Sequence, residues 1–113
     1  MGRKIRLEEV LESDPAPLRA PPDWINTELG LVNGKTVLHA GTGRLDGSWH
    51  RQDSDEFLLV LRGELTIDFD DGPLTAGPGE AILIGAGERH RAAARDGCLL
   101  LSVEAAGMKR LEA

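Results

Sequence analysis

The chain has 113 residues, a length that suits one hydrophobic core and leaves little room for a second. Hydrophobic residues make up 41% of it, enough for a packed interior and too many for a disordered tail. A formal charge of −6, with no basic cluster interleaved with aromatics, argues against nucleic acid and anionic lipid as partners.

No stretch approaches the ~18 apolar residues that cross a bilayer. Met1-Gly2-Arg3-Lys4-Ile5-Arg6 leads into charged residues without the apolar centre of a signal peptide. The single Cys98 cannot form an internal disulfide, so it is expected to be a buried, inert thiol. Together these features make the cytoplasm the expected location.

Leu7, Val10 and Leu11 recur at helical spacing with Glu8 and Glu9 on the other side, which predicts a short helix over 5–12. Pro15, Pro17, Pro21 and Pro22 then end any helix, because each lacks an N–H and restrains its predecessor. Residues 1–23 are therefore expected to form a helix and a proline-rich arm running over the outside of the body formed by residues 24–113. Ile25 to Leu29 alternates loosely, and Asn33-Gly34 is a strong hairpin signal because both residues tolerate positive φ. Strands are predicted at Lys35–Ala40, Glu56–Leu61 and Leu65–Phe69, and short buried ones at Ala81–Ile84 and Cys98–Val103. Asp70-Asp71-Gly72-Pro73 and Ala76-Gly77-Pro78-Gly79 read as turns. Short strands with turn signals every 8–12 residues or so indicate an all-β sandwich or barrel.

Three side chains with ligand chemistry lie close together in this frame: His50, Gln52 and Glu56. Residues 50 and 52 share a face if they lie on a strand. Asp53-Ser54-Asp55 suits a bend, and Glu56 opens the next strand. His90 follows another turn-like segment, Gly85-Ala86-Gly87-Glu88-Arg89. Two imidazoles, a carboxylate and an amide oxygen suit a borderline divalent ion with open coordination positions. His39 is expected to be an exposed strand histidine. Asp53 and Asp55 are expected to be solvated bend formers, Glu88 and Arg89 to face solvent, and Trp49 to be a packing or interface residue. Ser48, Leu58, Val60, Ala92 and Ala94 share faces with these residues, which predicts a mostly apolar pocket.

The segment from His50 through Glu56 to Gly63 resembles the first motif of the cupin superfamily. That motif has a Gly, His-x-His, three or four residues, Glu, six residues and Gly. Gly43 stands one residue further from His50 than the motif has it, and Gln52 stands at the second His. Gly79, Gly85, Gly87, His90 and Ala94 keep the spacing of the second motif, with Gly85 at its Pro and Ala94 at its Asn. The resemblance runs from about Lys35 to Val103 and is to small single-domain cupins of the mannose-6-phosphate isomerase-like kind.

This resemblance implies a cupin double-stranded β-helix, a jelly-roll barrel, preceded by the short N-terminal helix. It implies a divalent transition metal (Mn, Fe, Ni or Zn) held by His50, Gln52, Glu56 and His90, with Glu56 as a possible general base. An amide in place of an imidazole lowers metal affinity and tilts preference toward oxygen-tolerant ions. The activity implied is that of a metal-dependent dioxygenase or isomerase acting on a small molecule. The alternative is a non-catalytic small-ligand-binding or sensory cupin, with or without metal. A homodimer is expected in either case, because open sheet edges need covering.

Overall fold

The computed structural model describes residues 2–20, 23–44 and 46–111. Pro21 and Pro22, expected to interrupt the chain after the helix, lie outside the described residues, as do Met1, Leu45, Glu112 and Ala113. One helix, α1 (Leu7–Ser13), precedes eleven strands among the described residues. They are β1 (Leu18–Ala20), β2 (Trp24–Val32), β3 (Thr36–Gly43), β4 (Arg51–Gln52), β5 (Glu56–Gly63), β6 (Leu65–Phe69), β7 (Gly72–Ala76), β8 (Ala81–Ile84), β9 (His90–Ala93), β10 (Cys98–Ala105) and β11 (Arg110–Leu111).

Six strands form one sheet in the order β1-β2-β3-β10-β5-β8, with every pairing antiparallel. Facing it are a three-stranded sheet, β7-β6-β9, and a two-stranded ribbon, β11-β4. An isolated bridge between His50 and His90 joins the ribbon's chain to β9. The result is the expected jelly-roll β fold. The Asn33-Gly34 turn closes the β2–β3 hairpin with φ of 54° and 65°, the two left-handed residues a tight hairpin turn requires.

Period-two alternation explains the core. Leu58 and Val60 on β5, Leu65 and Ile67 on β6, Ile82 and Ile84 on β8, and Leu100 on β10 all point between the sheets and are buried. Burial of each such aliphatic side chain contributes about 1.5–3 kcal/mol. The larger sheet is apolar on its outer face as well. Val103 stands between Leu38 and Phe57, and Leu101 between Ala40 and Leu59. Helix α1 lies against β2 and β3, and Glu8 pairs with Arg62 of β5. Toward the other edge, Phe57 and Leu83 stay exposed.

The proline-rich arm differs from expectation in one respect: Leu18–Ala20 pairs with β2 and so becomes the edge of the larger sheet. Five strands of two to five residues (β1, β4, β7, β9 and β11) carry no clear signal: β1, β4 and β11 are too short to show a pattern, and β7 (GPLTA) and β9 (HRAA) lack the apolar runs that mark β6 and β8. Cys98 is buried and free, and burial pushes its thiol up to about 11. At neutral pH it is therefore the inert thiol expected of it.

Candidate functional site

The bridge between residues 50 and 90 builds the site. His50 N–H donates to His90 O, and His90 N–H to His50 O, both at 2.9 Å. Residues that exchange both backbone bonds sit directly opposite one another, with side chains on one face. Their ring centroids are accordingly 4.4 Å apart. Each ring is also fixed by its own strand. His50 Nδ1 lies 2.9 Å from Ser48 O, and His90 Nδ1 lies 2.8 Å from Glu88 O. A carbonyl only accepts, so Nδ1 carries the hydrogen in each ring and the lone pair is left on Nε2. Burial lowers the pKa of both histidines, which keeps them neutral, the form that ligates a metal.

Gln52 follows His50 by two residues and shares its face. Its side chain is buried, and its Oε1 has no hydrogen-bond partner. A buried acceptor left unpaired costs about 1–3 kcal/mol, so this oxygen needs a donor or a cation. Glu56 approaches from the opposite sheet. It accepts from Ser102 Oγ at 3.4 Å and stands beside Glu104, its cross-strand neighbour on β10. Burial, together with the Glu104 charge, raises its carboxyl to about 8.

All four predicted residues line one cavity of about 130 Å³, together with Trp24, Leu58, Ile67, Ile84, Ala92 and Leu100. The structure brings His50, His90 and Gln52 together on one wall. Glu56 is held along its own sheet instead, and among the described residues no three His, Cys, Asp or Glu side chains converge as a metal-holding group. The donor chemistry nonetheless fits a divalent ion: two neutral imidazoles, an unpaired amide oxygen and a carboxyl line the same cavity.

His39 corrects an expectation. It is buried, on the inner face of β3, with Nδ1 3.5 Å from Glu104 Oε1. It lines a second cavity of about 210 Å³ beside the first rather than facing solvent. Arg110 carries no signal in the sequence, yet it lines both cavities. A two-residue strand near the chain's end carries no pattern that would reveal it.

Other expectations are met, except that Val60 and Ala94 do not line the pocket. Asp53 accepts from Lys109 N and Asp55 from Ala86 N, so both are loop-forming carboxylates. Glu88 accepts from Gly85 N within its own turn. Trp49 packs under the guanidinium groups of Arg89 and Arg91, which lie 4.3 and 5.3 Å from its ring. Ser48, Leu58 and Ala92 line the pocket, while Val60 and Ala94 belong to the core.

The cupin domain family model matches residues 32–104, well over half the chain, and the protein belongs to that family. No curated protein matches the sequence. Among solved structures, the polyketide cyclase RemF from Streptomyces resistomycificus is similar over 99% of this chain and 85% of its own, at 20% identity and a TM-score of 0.78. A cupin-2 domain protein from Shewanella frigidimarina is similar over 89% and 93%, at 22% identity and a TM-score of 0.75. A cupin-superfamily sugar phosphate isomerase from Silicibacter pomeroyi is similar over 80% and 66%, at 20% identity and a TM-score of 0.67. At these identities the likeness establishes the fold alone.

Proposed function

We propose that this cupin holds a divalent transition metal through His50, His90, Gln52 and Glu56 and acts on a small, mainly apolar molecule as a metal-dependent dioxygenase or isomerase. The observation that carries the reading is the pair of backbone-anchored imidazoles with free Nε2 atoms beside the unpaired Gln52 Oε1. A bound Mn, Fe, Ni or Zn ion would act there as a Lewis acid toward a substrate oxygen. The protein's part is to exclude water with Leu58, Ile67, Ala92 and Leu100 and, when Glu56 is off the metal, to offer its carboxyl as a proton carrier. The neighbours described as a polyketide cyclase and a sugar phosphate isomerase support an enzyme on this scaffold. A second reading, a cupin that binds a small ligand without turning it over, is favoured by one observation. Glu56, the carboxyl lining the cavity, is already engaged by Ser102 and Glu104.

The Gln52→His variant tests the ligand set. A third imidazole in place of the amide oxygen is expected to tighten Ni or Zn binding by about tenfold, measured by competition with a chromogenic chelator. Unchanged affinity would remove position 52 from the metal's surroundings.

The chain is further read as a homodimer, with a second copy covering the apolar outer face that α1 leaves open around Phe57 and Leu83. Light scattering should give twice the chain mass for the wild type and the single-chain mass for Leu83→Glu. A monomeric wild type would end this reading.

A further inference from the structure

Arg110 is the cross-strand partner of Gln52 in the β11–β4 ribbon, and such partners carry their side chains on one face. Since Gln52 points inward, Arg110 is aimed at the same opening. Its side chain lines the 130 Å³ cavity that holds His50 and His90. It also lines the 210 Å³ cavity walled by Leu18, Arg19, His39, Glu104 and Met108. Asn26, Gln52, Glu56 and Ser102 line both cavities too, so the two adjoin along a polar seam with the guanidinium at its rim. Its positive charge is felt by His50, His90 and Glu56. Among the described residues, Arg110 forms no ion pair.

A protein of net charge −6 repels anions in general, so a cation at a cavity mouth with no carboxylate partner among the described residues is a selective feature. We propose that the ligand is a small monocarboxylic acid, its carboxylate held by Arg110 and the Asn26 amide and its apolar body lying against Leu58, Ile67, Ala92 and Leu100. The planar guanidinium offers two parallel N–H donors that match the two oxygens of a carboxylate. Phosphate fits less well. Its second charge asks for a second cation, and the cavity lined by His50 and His90 offers a single guanidinium, while Arg19 lies in the adjoining cavity beside the Glu104 carboxylate. This assignment rests on the cavity receiving a small molecule, as in the proposed function, and adds the chemical class of that molecule.

Binding of benzoate, benzamide and phenyl phosphate to the full chain, with and without added metal, tests it by calorimetry. Benzoate is expected to bind about tenfold or more tighter than benzamide in both forms. Arg110→Gln should abolish that preference without any loss of metal uptake, because it removes a positive charge and no metal ligand, while Arg110→Lys should keep part of it. Equal binding of benzoate and benzamide, tighter binding of phenyl phosphate, a preference that survives Arg110→Gln, or no benzoate binding at millimolar concentration would each overturn the proposal. The metal-free arm separates this assignment from the metal reading. A chain that takes up no metal but prefers benzoate through Arg110 keeps the carboxylate site and loses the metal. A chain that loads metal and shows no preference does the reverse.

Discussion

His90→Ala is expected to weaken divalent metal binding by at least about a hundredfold, because removing an outer-shell partner alone already costs 10–100-fold and this change deletes a donor atom. The ring is almost wholly buried, stands opposite His50, and is held in the ligating tautomer by the Glu88 carbonyl. No neighbouring imidazole can replace it. His39 is buried as well, but it lies in the adjoining cavity and meets Glu104. Metal content after gel filtration should therefore collapse in His90→Ala and stay unchanged in His39→Gln. His90→Gln guards against a folding artefact, since it keeps most of the side chain's bulk and still lacks the imidazole. Equal metal in the wild type, His90→Ala and His90→Gln would take residue 90 out of the site.

Whatever depends on local alternation was legible in the sequence. Leu65–Phe69 and Ala81–Ile84 have the predicted bounds, and α1 is displaced by only one or two residues. That His50, Gln52, Glu56 and His90 would line one cavity was legible too, through their spacing. What the sequence hides is how residues 50 and 90 become neighbours. Their two backbone bonds are long-range contacts between a strand edge and a four-residue strand, and neither element announces a partner. His39 was misplaced for a related reason. Both faces of β3 are covered, one by the core and the other by α1, so alternation gives no inward direction there. Arg110 shows the limit most plainly. Its place at the cavity comes from facing Gln52 across a ribbon of two residues per strand, a pairing fixed by the closed fold rather than by any local propensity.

The largest effect on stability is expected at Gly63, the glycine that ends the first motif and lies at the opposite end of β5 from Glu56. Its φ of +78° is one that L side chains adopt at a cost of about 1–2 kcal/mol. A Cβ there would also lie 2.2 Å from the Gly97 carbonyl oxygen and 2.9 Å from Cys98 Cα, both backbone atoms that cannot rotate away. Gly63 pairs with Cys98, so relief of the clash must shift the β5–β10 register where Leu100 and Val60 enter the core. Gly63→Ala should therefore cost on the order of 3 kcal/mol or more and lower the melting temperature by roughly 10 °C or more. Gly34→Ala provides the control, with φ of +65° and nothing within 4 Å of its added methyl. It should show the conformational cost alone, about 1 kcal/mol. Equal melting temperatures for the two variants would mean that the backbone at residue 97 moves aside, and that this glycine answers to its φ rather than to close strand packing.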